Sequence, residues 1–184
     1  MKRVARVIGY SEEVATYVDI IAAIQRQIQP DKVEIVFVAS EQSPDQPEKG
    51  RSQSAFISRL HEAIHDIAQD FSAYSPCENI PLTVENIRRD EINFILRDAI
   101  AVDVTAAPKD IAINVISNAL RYGGPPIYYV KWLTKFEYGK RSRIGKDPYV
   151  YDDLTKLDEA RLLSRSYRSQ SFLLLGLVLM VAVC

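Results

Sequence analysis

The residues from Ala101 to Val130, AVDVTAAPKDIAINVISNALRYGGPPIYYV, constrain this chain more than any other stretch. The unit opens on a short apolar strand, Ile100 to Val104, and turns through Thr105, Ala106 and Ala107 into Pro108, Lys109 and Asp110. Ile111, Val115, Ile116, Ala119 and Leu120 follow at helical spacing, and Gly123, Gly124, Pro125 and Pro126 stop that helix. A second β-branched and aromatic run, Ile127 to Val130, starts at once. The pattern predicts a β-α-β unit, whose crossover makes its two strands parallel neighbours.

The turn inside this unit carries the chemistry. Proline suits the first helical position, where its missing N–H would have had no partner. Free backbone N–H groups and the positive end of the helix dipole then point out of the turn, an arrangement that accepts phosphate or another anion. Thr105 adds a hydroxyl and Lys109 a mobile cation. An ordinary capped turn with a solvated lysine has the same composition, so the turn alone does not settle its use.

The rest of the chain repeats the alternation. Val4 to Gly9 reads as a strand, and Gly9, Tyr10, Ser11 and Glu12 as the turn after it. A helix runs to about Gln29 with Val14, Val18, Ile21, Ile24 and Ile28 facing inward. Val33 to Ala39 is nearly continuous in apolar residues, as a strand buried on both faces would be. Ser40 to Ser54 is a polar loop, Ser54 to Ala73 a helix with the stripe Phe56, Leu60, Ile64, Ile67 and Phe71. Ile80 to Ile87 is a strand and Arg88 to Arg97 a helix. This order predicts a doubly wound, mostly parallel α/β sheet of Rossmann-like type. In the usual order of such sheets the first and fourth strands are adjacent and the winding reverses between them; ligands bind at that switch point. The loops Gly9 to Glu12 and Thr105 to Lys109 should therefore line one site.

Beyond the fifth strand, Trp132, Phe136, Tyr138, Tyr149 and Tyr151 flank a turn rich in Lys140, Arg141, Arg143 and Lys146, which predicts a hairpin with a basic tip. Such a tip either protects a sheet edge or serves as a flap towards a polyphosphate. Asp152 to Arg168 reads as a charged amphipathic helix. Phe172 to Cys184 then contains no charged residue. As a helix it would span roughly 20 Å, short of a hydrocarbon core of roughly 30 Å, which favours burial. The flank of Arg161, Arg165 and Arg168 favours a membrane segment, and the run stops at the last residue as a sequence cut inside a longer hydrophobic segment would. The organisation read from this is a ligand-binding domain over residues 1–150, a charged helix over 151–170 and a hydrophobic, membrane-associated segment over 171–184.

A net charge of −1 gives no general attraction to nucleic acid, so direct DNA or RNA binding is not expected. The two cysteines, Cys77 and Cys184, have no metal-site spacing. The start of the chain runs straight into the first strand without a signal peptide, and the body of the chain reads as cytoplasmic.

Asp103, Thr105, Ala106, Ala107 and Lys109, followed by an amphipathic helix and the strand Tyr128 to Val130, resemble CARF domains (CRISPR-associated Rossmann fold). Members of that family usually carry glycine and threonine or serine where this chain has Ala106, Ala107 and Pro108. The resemblance covers residues 1 to about 150. It implies a sensor of cyclic oligoadenylate in type III CRISPR antiviral defence, with cyclic tetra-adenylate as the expected ligand and no separate cofactor. It also implies a homodimer that places a two-fold symmetric ligand across its axis. The ligand-binding set expected on this basis is Gly9, Tyr10, Ser11, Glu12, Thr105, Ala106, Ala107 and Lys109. The residues after the sensor have neither the length nor the histidines of a nuclease domain, so the resemblance implies that the output lies in the C-terminal tail, with a cytoplasmic sensor anchored to the inner membrane. A stand-alone sensor, or a ring nuclease that slowly cuts the ligand, is the second reading.

His61, Glu62 and His65 spell H-E-x-x-H on a predicted helix, a pattern that holds zinc in some hydrolases. These are the only histidines in the chain, so a third ligand would have to be a carboxylate such as Glu85 or Glu91. A doubly wound sheet is not the usual scaffold for that chemistry, and two flank histidines on a crossover helix are the plainer reading. Zinc hydrolysis is kept as a third hypothesis.

Overall fold

Strands that are apolar on both faces need helices on both sides of their sheet, and the chain supplies them in alternation. The computed structural model describes residues 3–10, 12–38, 51–133 and 142–157. The strands are β1 Val4–Gly9, β2 Lys32–Val38, β3 Leu82–Ile87, β4 Ala99–Asp103, β5 Ile127–Trp132 and β6 Tyr149–Asp153. The helices are α1 Val14–Gln27, α2 Arg51–Asp70, α3 Ile92–Leu96 and α4 Lys109–Tyr122. Among the described residues the sheet has six strands in the order β3-β2-β1-β4-β5-β6. Its neighbours from β3 to β5 are parallel, and β6 returns antiparallel to β5. The mostly parallel, doubly wound α/β sheet expected from the alternation is therefore the fold. The parallel strands at Val4, Val33, Ala101 and Ile127 are in place.

Two hydrophobic clusters sandwich the sheet. Ala5, Val7, Val33 and Ile35 meet α1 and α2 through Val18, Ile21, Phe56, Leu60 and Ile64. Ile8, Val36, Val102 and Ile127 meet α3 and α4 through Ile92, Ile95, Ile111 and Val115. The change of side between α2 and α3 is the reversal of winding, and it puts β1 beside β4 with Val7 opposite Asp103.

Some elements differ from the sequence reading. The helix expected over Arg88 to Arg97 is a 3-10 turn, Arg89–Glu91, followed by the five-residue α3. Its end, within one residue of the expected one, is held by Arg6. It is 8% exposed, and its Nη1 donates to the carbonyls of Phe94 and Ile95, at 2.8 and 3.0 Å, and to that of Arg97. The end of α3 is thus capped from β1 rather than by its own sequence. Arg6 also pairs with Glu34 at 2.6 Å. Burial works to raise the Glu34 carboxyl, but Arg6 and Lys32 outweigh it and hold it below the usual range.

The charged helix expected over Asp152 to Arg168 does not begin there. Asp152 and Asp153 extend β6, and Leu154–Lys156 form a 3-10 turn. Pairing with β5 places Tyr128 opposite Asp153, and Leu154 packs against the α4 cluster, so the chain stays on the sheet. Residues 158–184, including the hydrophobic run Phe172 to Cys184, lie outside the described residues, as do most of the loop from Ser40, the hairpin-tip residues Lys140 and Arg141, and Ser11. Among the described residues no helix is long and apolar enough to cross a membrane.

Candidate functional site: the crevice between β1 and β4

The loops leaving β1 and β4 meet where the winding reverses. Gly9 ends β1 and is buried. A Cβ at Gly9 would fall on the Tyr17 phenol, whose ring atoms lie at 2.9 Å, so glycine is required there by the close approach of α1. Tyr10 is 66% exposed at the mouth. Glu12 is tied to Arg59 of α2 at 3.1 Å, which holds its carboxylate to the α2 side.

The β4–α4 turn is held by its own polar groups. Thr105 N–H donates to Asp103 Oδ1 at 2.8 Å, and Thr105 Oγ1 accepts from Val130 N–H at 2.8 Å. The threonine hydroxyl thus clamps the turn to β5. Ala106 packs against the α1–α2 cluster and Ala107 against the α3–α4 cluster, so the turn straddles the end of the sheet. Pro108 is the N-cap rather than the first helical residue, with φ −56° and ψ 145°, and its carbonyl accepts from Ala112 N–H at 2.9 Å. No side chain caps α4, so its first N–H groups have no side-chain acceptor. Lys109 is exposed and its ammonium makes no ion pair or hydrogen bond with a described residue. Asp110 is engaged by Arg89 at 2.6 Å, so the acid in the first turn is directed to α3's side.

Beneath the turn lies a buried polar pair that the sequence reading did not place in the site. Asp103 is 1% exposed, and its second oxygen, Oδ2, has no hydrogen bond. The Tyr151 hydroxyl from β6 is also buried and makes no hydrogen bond of good geometry, although it and Asp103 interact electrostatically. Burial pushes the Asp103 carboxyl up to about 6, against the lowering effects of the Thr105 N–H, the Thr105 hydroxyl and the Tyr151 hydroxyl. Burial and the neighbouring Asp103 push the Tyr151 phenol well above its ordinary range. Tyr128 stacks on Tyr151 with centroids 4.8 Å apart and planes at 16°. Asp103 belongs to the sequence motif, but only the return of β6 beside β5 brings a phenol to it.

The other sequence candidates sit elsewhere. His61, Glu62 and His65 lie on α2, and His65 Nδ1 meets Glu78 Oε1 at 2.8 Å. Among the described residues no group of three His, Cys, Asp or Glu side chains is assembled to hold a metal. Glu85 is on β3 and Glu91 in the turn before α3. Arg143, expected in a basic hairpin tip, turns inward instead. It pairs with Asp19 of α1 at 3.2 Å, and Asp19 also accepts from Tyr74 Oη at 2.5 Å. Arg143 therefore serves packing, while Lys146 remains exposed.

No protein-family model matches the chain, and no curated protein matches it. Among solved structures it is similar to a protein of the universal stress protein family from Burkholderia pseudomallei, at 12% identity and a TM-score of 0.37, over 70% of this chain and 95% of that one.

Proposed function

We propose that the crevice between β1 and β4 is a sensor site for a phosphodiester-linked nucleotide ligand, cyclic oligoadenylate, in type III CRISPR antiviral defence. One observation carries the reading: Lys109, paired with no described residue, stands at the start of α4, which no side chain caps, at the switch point of the sheet. The α4 amides and the lysine supply positive potential, Thr105 a hydroxyl donor, and the exposed Tyr10 ring a face on which a base can stack. The resemblance of Asp103, Thr105, Ala106, Ala107 and Lys109 to CARF domains supplies the ligand class. In this reading the protein acts as a homodimer, binds cyclic tetra-adenylate across its two-fold axis, and signals to a membrane-associated tail over residues 171–184. It works as a sensor rather than an enzyme.

The decisive measurement is the affinity of purified full-length protein for cyclic tri-, tetra- and hexa-adenylate, compared with Lys109→Ala. A charge-assisted hydrogen bond contributes roughly 1.5–3 kcal/mol, so the variant should bind about ten- to a hundredfold more weakly per site at unchanged melting temperature. Unchanged affinity in the variant removes Lys109 from the site, and absence of binding by all three rings sinks the reading. Sedimentation with and without ligand checks the dimer. Fractionation of the full chain beside a chain ending at Gln170 checks the tail.

A further inference from the structure

We propose that a second ligand site, distinct from the β1–β4 crevice, lies between the end of α1 and the start of β6, and that it takes a nucleoside monophosphate. An open groove of about 630 Å³ is bordered there by Arg26 in the last turn of α1 and by Lys146, with Asp147, Tyr149 and Tyr151 along it. That volume is within the range of small-molecule sites.

The rim is fixed before any ligand arrives. Ile144 is fully buried and its N–H donates to Tyr74 Oη at 2.8 Å. Arg143 is held by Asp19. Gly145 has φ +88°, and a Cβ on it would meet the Ala73 side chain at 2.7 Å. The turn that carries Lys146 is therefore packed against the protein body through the residues before it. Lys146 and Arg26 themselves are exposed, and neither side chain forms an ion pair or hydrogen bond with a described residue. The carboxylate on the rim, Asp147, is turned to the Arg143 N–H at 2.8 Å. Two unengaged cations on one groove suit a dianionic phosphate group, the guanidinium as a fork and the ammonium as a point charge.

The aromatic side of the groove is equally rigid. Tyr151 is stacked on Tyr128, and Tyr149 leans on Trp132 with centroids 5.8 Å apart. Rings already fixed in place lose little freedom when a base stacks on them, and base–aromatic stacking tolerates any base. Cations and tyrosines lining one groove match a ligand with a phosphate and a planar ring, which neither inorganic phosphate nor a free nucleoside provides.

The test uses the full chain, titrated calorimetrically with AMP, adenosine and inorganic phosphate. AMP should bind, with adenosine and inorganic phosphate each at least about tenfold weaker. Arg26→Glu and Lys146→Glu should each weaken AMP binding by about tenfold or more, the loss of one charge-assisted contact. Arg26→Gln and Lys146→Gln should do so to a smaller degree, and keep the result readable where a charge reversal lowers the melting temperature. Lys109→Ala should leave AMP binding unchanged, which separates this site from the crevice. No AMP binding at millimolar concentration, inorganic phosphate binding as tightly as AMP, or loss of AMP binding in Lys109→Ala with retention in the Arg26 and Lys146 variants would each overturn the proposal.

Discussion

Asp103 is the residue at which folding and the crevice compete. Its burial leaves one carboxylate oxygen without a hydrogen bond, and its carboxyl is raised from 3.8 to about 6. With a raised folded-state value, the native state binds more protons than the unfolded chain between those two pH values. The stability this group contributes is fully present below about 3.8 and is lost as pH rises through about 6. A rise of this size corresponds to about 3 kcal/mol. Asparagine keeps an oxygen for the Thr105 N–H and offers an amide N–H to the Tyr151 hydroxyl. Asp103→Asn should therefore be more stable than wild type at pH 7.5, by up to about 3 kcal/mol, with the difference disappearing near pH 3.5. Denaturant melts of both proteins at the two pH values check this, and a variant less stable at both would show that the carboxylate holds the turn in its charged form. The same residue explains the limits of sequence reading here: its place in the motif was legible, but the burial that raises its carboxyl comes only with the folded sheet.

Among the elements, the segment after the β5–β6 hairpin tip changed meaning most. Its composition suggested a solvated basic tip or a flap. In the fold Arg143 is drawn under the turn by Asp19, itself 6% exposed on the buried side of α1, and Ile144 becomes core. Helical periodicity marked Val18, Ile21 and Ile24 as inward but placed no partner against Asp19. Removing that carboxylate leaves Tyr74 and Arg143 without their acceptor, at a cost of about 1–3 kcal/mol. Asp19→Ala should lower stability by that amount and speed hydrogen exchange at the Ile144 amide ahead of the strand amides of β1 and β2. Equal protection of Ile144 in both proteins would mean that packing of the isoleucine alone holds the segment. The capping of α3 by Arg6 is the same kind of event. A side chain from a strand caps the end of a helix, and the local sequence from Arg88 to Arg97 carries no sign of that partner.

At the scale of the molecule, one sheet divides two cores, and the ends of β1 and β4 lie side by side between the layers. A shared sheet couples the layers, so a cavity in one should weaken both. Leu60 is fully buried in the α1–α2 layer. Leu60→Ala should cost about 2–5 kcal/mol and shift a single transition seen identically by far-ultraviolet and near-ultraviolet signals. Separate transitions would show that the α3–α4 layer melts on its own.

The sequence by itself determined the alternation of strands and helices, the parallel sheet and the position of its switch point. These follow from local periodicity and from chain connectivity, both of which are written in neighbouring residues. It also marked the turn from Thr105 to Lys109, because a proline and an amphipathic helix start are local signals. Tertiary structure alone decided which polar groups are spent on folding. Thr105 Oγ1 is committed to Val130, Arg143 to Asp19 and Arg6 to the end of α3, while Lys109, Lys146 and Arg26 are engaged by no described residue. Composition reads those three arginines and two lysines as equivalent cations. Only the distances between segments far apart in the chain separate the buried, paired ones from those that still face solvent.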